Sequence, residues 1–263
     1  MNNYLMLFKA ALEEYLNTIE EEDLRNKCRY ALDSNGKYVR PILFYFTLKK
    51  YDLPVKKYIN YALAIEMVHT YSLIHDDLPC MDNDDFRRNK LSLHLKYNEE
   101  IAVLIGDMFL SDAFSLLSSQ KDIEGIAASL LSQCIGSKGM VLGQYYDLKY
   151  LKNSPSMINI LKMYSLKTGK LFEYCLCLPA LIAHRDEDVK LLKELASNLG
   201  ILYQIKDDIK DYHVQKESFL NWKIDVSFLN KIYEEYVLKV ENLFNLLKIS
   251  KQDELYQYLK NMF

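Results

Sequence analysis

A dense run of aspartates is the feature of this sequence best suited to chemistry. Its members fall within ten residues and are Asp76, Asp77, Asp82, Asp84 and Asp85. Two arginines, Arg87 and Arg88, follow directly. Crowded carboxylates repel one another unless a cation lies among them, and Mg²⁺ takes a few carboxylates while leaving positions for water and phosphate oxygens. Guanidinium groups bind phosphate in a bidentate fork, so this run predicts a site for metal-bridged phosphate.

A second acidic cluster lies much later in the chain. Asp207 and Asp211 are four residues apart, so in a helix they share one face, with Asp208 beside them. One acidic cluster alone would be explained equally well by a solvated loop, because charge runs are usually exposed. Two clusters in separate helical segments favour a different hypothesis, in which they form two walls of one metal site.

The elements that must position these clusters are predicted to be helices. An apolar run, Ala62 to Ile74, leads into the first cluster and predicts a helix over about residues 57–78, which Pro79 disturbs or ends. Other predicted helices lie within about residues 1–31, 41–50, 99–118, 123–135, 138–150, 156–166, 169–183, 187–211 and 227–263. A turn at 33–36, a loop at 51–56, a break at 153–155 and a polar segment at 212–226 separate some of them.

The composition favours the same fold class. Only 8 Gly and 5 Pro is sparse for a β-rich chain of 263 residues, and no alternating β pattern persists. Half of the residues are hydrophobic, which is ample for a buried core. We therefore predict an all-α fold in a single domain over residues 1–263.

Charge, cysteines and apolar runs exclude several function classes. The net charge of −3 gives no basic footprint for nucleic acid. Five scattered cysteines do not form a disulfide framework. The N-terminus resembles neither a secretory signal nor a transit peptide, and no uninterrupted apolar run reaches the length of a membrane span. We expect a soluble, cytoplasmic protein.

Five motifs together resemble those of the trans-isoprenyl diphosphate synthases (polyprenyl synthetases), and most of all their bacterial farnesyl diphosphate members. The acidic clusters are two of the motifs. The others are Gly36-Lys37-Tyr38-Val39-Arg40-Pro41, Gly143-Gln144-Tyr145-Tyr146-Asp147-Leu148 and Lys167-Thr168-Gly169. They occur in the family's order over about residues 33–211, whereas the last fifty residues match poorly. The resemblance implies an isoprenoid-synthase helical bundle around a deep central cavity.

The resemblance also implies a reaction. An allylic diphosphate, dimethylallyl or geranyl, ionises, and isopentenyl diphosphate adds to the cation and loses a proton. Two or three Mg²⁺ ions per active site would neutralise the leaving group, held by Asp76, Asp82, Asp207 and Asp211, with Asp77 nearby. The implied partners are these two diphosphates and a second copy of the chain, with no nucleic acid.

Family likeness further assigns the substrate-binding residues. Arg87 and Lys167 match positions that bind the allylic diphosphate. The pocket for isopentenyl diphosphate, which binds without metal, matches Lys37, Arg40, His69 and Arg88. Groups around Thr168 and Gln204 would face the developing cation. A lone buried histidine is more often structural, and only the position of His69 before Asp76 favours a binding role.

Sterics predict the product length. The growing chain runs down the helix that carries Asp76, and Tyr71 and Ser72 lie about one turn below it. A bulky Tyr71 should stop elongation at the C15 farnesyl product, with the C20 geranylgeranyl product as the alternative.

Several departures from the family pattern keep other hypotheses open. Asn35 replaces a glycine, Lys210 lies where an apolar residue is usual, and the segment after Asp211 is about ten residues short. These changes suit a weakly active or non-catalytic subunit of a heteromeric prenyl synthase. A terpene cyclase on the same scaffold is a further alternative, although it needs no second diphosphate pocket.

Overall fold

The computed structural model describes residues 2–32, 36–119, 121, 123–151, 153, 155–215 and 225–263, and for residues 124, 151 and 211–215 it describes the backbone alone. The predicted turn at 33–35 and residues 216–224 of the predicted polar segment lie outside the described residues.

The described chain is helical, as predicted. The helices are α1 Asn2–Asn17, α2 Glu22–Leu32, α3 Val39–Lys50, α4 Ile59–Asp76, α5 Leu93–Lys96, α6 Glu99–Leu117, α7 Glu124–Ile135, α8 Met140–Leu151, α9 Met157–Tyr164, α10 Lys170–Ile182, α11 Asp186–Gln215, α12 Val226–Leu246 and α13 Glu254–Lys260. A 3₁₀ turn, Val55–Tyr58, precedes α4, and a π-helical turn, Ser165–Gly169, joins α9 to α10. Within the described ranges, β structure is limited to the hairpin β1 Phe86–Arg87 and β2 Lys90–Leu91.

The chain divides into two compact units. The first consists of Met1–Tyr45 and Pro54–Ala128, and the second of Phe46–Leu53 and Ser129–Phe263. The prediction of one domain over residues 1–263 stays a prediction.

Helix α4 is the centre of the first unit. It packs against α1, α2 and α6, and every residue from Tyr61 to Val68 is buried, so its apolar surface is covered on all sides. Asn98 begins α6 by accepting a hydrogen bond from the backbone N–H of Ile101 at 2.8 Å. A Cβ atom at Gly106 would lie 2.1 Å from Nε2 of His75, so this glycine permits the close approach of α6 to α4. The end of α4, which carries the first acidic cluster, is therefore held rigidly.

Helix α11 has the same central place in the second unit. It packs against α10, α12 and the π-helical turn. Its contact with the turn is made by glycines, because a Cβ atom at Gly200 would lie 2.4 Å from Cα of Gly169. Asp225 begins α12 by accepting from the N–H of Ser227 at 2.8 Å. This packing fixes the helix that carries the second acidic cluster.

The structure corrects three details of the prediction. Helix α11 continues to Gln215, so residues 212–215 are helical and not irregular. The hairpin after the first acidic cluster was not predicted, because two-residue strands are too short to show an alternating pattern. Residues 165–169 form a π-helical turn between α9 and α10, which helical periodicity does not reveal.

One stretch of the described chain bears on the expectation that no segment spans a membrane. By length and composition, Gly125–Tyr150 is apolar enough to span a bilayer, although a core helix passes the same test. In the structure this stretch comprises α7 and α8, which are separated at residues 136–139. The expectation of no membrane span stays a prediction.

Candidate active site

The first acidic cluster folds back on the end of α4. This helix ends at Asp76, and Pro79 lies in the turn that follows. The chain then returns, because the backbone N–H of Asp82 donates to the carbonyl of Asp76 at 2.9 Å. Asp76 is half-buried and Asp82 is exposed. The backbones of two residues predicted to bind metal are thus brought together at the negative end of a helix dipole, which favours a cation.

The chemistry of this donor set suits a divalent ion held largely by its substrate. No group of three or more metal-ligating side chains occurs among the described residues. Asp76 and Asp82 alone supply two carboxylates, which is the number that Mg²⁺ commonly takes when water and substrate phosphates fill its other positions. The residues present therefore fit a metal that binds together with a diphosphate.

Asp77 has a different environment from its neighbours. It is 3% exposed and accepts a hydrogen bond from Nε of Arg87 at 2.9 Å, and Nη2 of Arg87 also contacts it. Burial raises the pKa of the Asp77 carboxyl, and the hydrogen bond from Arg87 lowers it. Nη2 of Arg87 lies 2.6 Å from Oδ2 of Asp84. Arg87 is therefore held in place by two carboxylates beside the predicted metal ligands.

Three of the residues predicted to bind isopentenyl diphosphate lie in one partly buried group. Nη1 of Arg40 lies 3.0 Å from Nε2 of His69. Burial lowers the pKa of His69 well below its ordinary value, and the charges of Arg40, Arg88 and Arg87 lower it further. His69 is therefore neutral and accepts the hydrogen bond that Arg40 donates. The fourth predicted residue, Lys37, is exposed.

The hairpin turn aims Arg88 at this group. Arg88 and Asn89 are its central residues, and both have a left-handed backbone, with φ of 53° and 63°. Two consecutive positive φ values are those of a type I′ turn, which matches the twist of a two-residue hairpin. Asn suits such a position, whereas Arg costs about 1 kcal/mol there. A Cβ atom at Gly36 would lie 2.5 Å from Nη1 of Arg88, so this glycine leaves room for the guanidinium.

Glu66 completes the group and was not predicted. It lies on α4, is 1% exposed, and its Oε1 is 4.0 Å from Nη2 of Arg88. Sequence reasoning passed over it as part of the apolar run. Its spacing of three residues before His69 was the available signal, since residues three apart share a helix face.

The two residues predicted to set the product length lie near the end of α4, shortly before Asp76. Tyr71 is 7% exposed, and its ring packs edge-on against His75 with centroids 5.8 Å apart. Burial and the charge of Asp76 raise the pKa of Tyr71 to about 12, so the phenol is neutral. The Ser72 hydroxyl donates to the backbone carbonyl of His69 at 2.8 Å, so it is hydrogen-bonded within its own helix.

In the second unit, the π-helical turn positions Lys167 and Thr168. Nζ of Lys167 lies 2.6 Å from Oδ2 of Asp147 on α8, and the Thr168 hydroxyl donates to Oε1 of Gln204 on α11 at 2.8 Å. A Cβ atom at Gly143 would lie 2.3 Å from the backbone nitrogen of Lys167. Glycine at this position therefore lets α8 touch the turn, which brings the motif of residues 143–148 against the motif of residues 167–169.

The second acidic cluster lies on the last turns of α11. Asp207 is exposed and Asp208 is half-buried, while Asp211 is described by its backbone alone. The Tyr164 hydroxyl donates to Oδ2 of Asp208. Burial and the charge of Asp208 raise the pKa of Tyr164, so the phenol keeps its proton and orients this carboxylate. Tyr164 was not predicted, and its only sequence signal is its position three residues before Lys167.

Comparisons with known proteins agree with the motifs. The sequence model of the Polyprenyl synthetase family matches residues 21–221. Farnesyl diphosphate synthase of Micrococcus luteus is 36% identical over 245 residues, which cover 91% of this chain and 83% of that protein. Farnesyl diphosphate synthase of Bacillus subtilis (strain 168) is 35% identical over 229 residues, which cover 82% of this chain and 77% of that protein.

A solved structure supports the same assignment. The crystal structure of geranyltransferase from Helicobacter pylori, complexed with magnesium and isoprenyl diphosphate, has a TM-score of 0.82 and 30% identity to this chain. The match covers 100% of this chain and 96% of that chain. The predicted isoprenoid-synthase fold class is thereby confirmed, and the chain belongs to the polyprenyl synthetase family.

Proposed function

We propose that this chain is a short-chain trans-prenyltransferase that condenses isopentenyl diphosphate with dimethylallyl or geranyl diphosphate to give farnesyl diphosphate. The observation that carries the proposal is the grouping of Arg40, His69 and Arg88 in one partly buried cluster. A cationic pocket of this kind suits a second diphosphate bound without metal. A cyclase, which ionises a single diphosphate, has no use for it.

The allylic diphosphate reacts first. Its C1–O bond breaks, and the electron pair leaves with the diphosphate, so negative charge grows on the leaving oxygens. This family uses a divalent metal for catalysis. We propose that Asp76, Asp82, Asp207 and Asp211 would hold two or three Mg²⁺ ions, which would neutralise that charge. Arg87 and Lys167 add hydrogen bonds to the same oxygens, and fixed cations of this type stabilise the transition state.

Carbon–carbon bond formation follows. The double bond of isopentenyl diphosphate, held by Lys37, Arg40, His69 and Arg88, attacks the allylic cation. The new tertiary cation loses a proton to the released diphosphate, which restores a double bond. We propose that the Thr168 hydroxyl oxygen and the Gln204 side-chain oxygen, joined by a 2.8 Å hydrogen bond, stabilise the developing positive charge. No protein base is required.

We propose that Tyr71 and Ser72 set the product length. Tyr71 is buried and bulky, and lies five residues before Asp76 on α4. A chain that grows down this helix from a diphosphate at Asp76 meets the Tyr71 ring after about one and a half turns. This arrangement supports a C15 product, and no contact in the described structure favours the C20 alternative.

We also propose that the enzyme works in the cytoplasm as a homodimer. The support is family membership together with the exposed apolar side chains on α6, of which Leu104 is 62% exposed.

A product assay tests the proposal. Purified protein is incubated with Mg²⁺, isopentenyl diphosphate and either dimethylallyl or geranyl diphosphate, and the dephosphorylated products are sized by gas chromatography and mass spectrometry. We expect one C15 alcohol from both primers. A product of C20 or longer would keep the enzyme class and reject farnesyl diphosphate as product. Absence of elongation by folded protein would reject the catalytic role and favour the subunit hypothesis.

A matched pair of variants tests whether the group of Arg40, His69 and Arg88 binds isopentenyl diphosphate. Arg88→Ala should raise KM for isopentenyl diphosphate by about tenfold or more, because charge-assisted hydrogen bonds are lost. Arg185→Ala removes an exposed arginine whose partners are Glu187 and Asp188, and it should change neither KM.

A further inference from the structure

One carboxylate of the first unit is buried without a hydrogen bond. The Glu66 side chain is 1% exposed, and neither of its oxygens has a hydrogen-bond partner among the residues that the structure describes. An ionised carboxylate in such a place is costly unless nearby positive charge compensates for it. The groups that face Glu66 therefore decide what it does.

Two guanidinium groups face this carboxylate. Nη2 of Arg88 lies 4.0 Å from Oε1 of Glu66, and the charges of Arg88 and Arg40 both lower the pKa of Glu66, which burial raises to about 7. His69, one turn further along α4, is neutral and adds no charge. Above about pH 7 the described residues of the cluster thus supply two arginine cations and one buried carboxylate anion.

The carboxylate of Glu66 is more deeply buried than the guanidinium of Arg88 that faces it. The Arg88 side chain is 23% exposed, whereas Glu66 is almost completely covered. A carboxylate in contact with a diphosphate would repel it, so Glu66 can help anion binding only through the cations. The left-handed backbone of Arg88 points the guanidinium toward this group, and such a conformation persists only where the surroundings hold it.

We propose that Glu66 is a positioning residue, whose buried carboxylate holds the guanidinium groups of Arg40 and Arg88 together so that both can bind one diphosphate. Two guanidinium groups repel each other when no anion is bound, and a carboxylate whose charge acts on both offsets that repulsion. The inference rests on the proposed function and adds a residue that does not itself touch the substrate.

The test separates the two diphosphates. At about pH 8, where the Glu66 carboxylate is ionised, Glu66→Gln should raise KM for isopentenyl diphosphate by about tenfold, which is the effect of losing one hydrogen bond or ion pair to a charged group. KM for geranyl diphosphate should stay within about twofold, because Arg87 and Lys167 are unaffected. Glu66→Asp, which keeps the charge, should restore most of the affinity. Equal changes in both KM values, or no change in either, would overturn the inference.

A matched control removes another buried carboxylate. Glu173 on α10 is 7% exposed and pairs with Lys170 at 2.7 Å, in the second unit. Glu173→Gln should lower thermal stability without changing KM for isopentenyl diphosphate. A rise in that KM equal to the rise caused by Glu66→Gln would show a general effect of losing a buried charge and would overturn the inference.

Two further measurements test the positioning role of Glu66 separately from the proposed enzymatic activity. Arg88→Gln, alone and combined with Glu66→Gln, gives a cycle in which the second change should add less than about threefold to KM, because its partner is already gone. If the wild-type protein does not elongate, the proposed function fails, and calorimetric binding of inorganic pyrophosphate without metal still tests Glu66. Weaker binding by Glu66→Gln supports the positioning role, and unchanged binding overturns it.

Discussion

Nζ of Lys167 lies 2.6 Å from Oδ2 of Asp147, and the pair joins the π-helical turn to α8. Both side chains are only partly exposed, at 21% and 20%, so the ion pair is shielded more than an ordinary surface pair. A lysine ammonium on a four-carbon stem has wide freedom, and the carboxylate removes much of it. Asp147 therefore fixes the cation that we propose binds the allylic diphosphate.

The first prediction follows from this pair. Lys167→Ala should lower kcat/KM for the allylic diphosphate by about 100-fold, and Asp147→Asn by about tenfold, because a charged hydrogen bond contributes about 1.5–3 kcal/mol. The double variant should be no worse than Lys167→Ala alone, and steady-state kinetics at saturating isopentenyl diphosphate would measure all three. Higher affinity in Asp147→Asn would mean that Asp147 competes with the substrate.

The second prediction concerns the close contact behind Lys167. Gly143→Ala should destabilise the protein by about 1–3 kcal/mol, because the new Cβ atom would lie 2.3 Å from a backbone nitrogen that has little room to move. Chemical denaturation would measure the change. Gly125→Ala is the control, since a Cβ atom there meets nothing within 4 Å, and it should cost no stability. Equal effects of the two substitutions would contradict the packing argument.

The helical framework could be predicted from the sequence because its signals are local. The apolar run before Asp76 predicted α4, and Pro79 correctly marked its end. The four-residue spacing of Asp207 and Asp211 correctly placed both on one helix. The charged residues of the predicted site could be proposed from the sequence for the same reason, because their types and spacing are visible there.

The features that were missed depend on tertiary contacts. Glu66 reads as a single polar residue in an apolar helix until the arginines that face it are located. The left-handed backbone at Arg88 could not be predicted, because no glycine marks the turn in the sequence. Tyr164 acquires its role only through a hydrogen bond to Asp208, which is 44 residues away in the chain. Periodicity carries no information about such distant partners.

The third prediction tests the steric limit on product length. Tyr71→Ala should shift the product from C15 to C20 or longer, because it removes a buried ring one and a half turns below Asp76. Tyr71→Phe keeps the ring and should keep the C15 product. Sizing of the dephosphorylated alcohols would distinguish them. An unchanged product distribution in Tyr71→Ala would show that another residue stops the chain.

The fourth prediction concerns the metal. Chelation should abolish elongation, and added Mg²⁺ should restore it. Asp82→Asn should raise the Mg²⁺ concentration for half-maximal activity by at least about tenfold, because a site that has few carboxylates loses one of them. Asp85→Asn, at an exposed position of the same loop, should leave that concentration within about twofold. If both substitutions had the same effect, general loss of negative charge would explain it.

The fifth prediction is a pH dependence of stability that arises from Glu66. Burial raises the pKa of Glu66 from 4.5 to about 7 in the folded protein, against the lowering by Arg88 and Arg40. The folded state thus holds this proton more tightly than the unfolded state. Its stabilising effect is complete below about pH 4.5 and is lost as the pH rises through about 7. The wild-type protein should therefore lose more stability than Glu66→Gln over this range.

The size of that difference can be measured directly. Urea denaturation of both proteins between about pH 5 and pH 8 gives two free-energy curves, and their difference cancels every group that titrates alike in both. We expect the difference to change by about 2.5 kcal/mol, which is most of the effect of the pKa displacement of Glu66. Glu173→Gln supplies the comparison for loss of a buried carboxylate elsewhere. A constant difference between wild type and Glu66→Gln would mean that the arginines keep Glu66 ionised throughout, and its pairing with Arg88 would then be stronger than their 4.0 Å separation indicates.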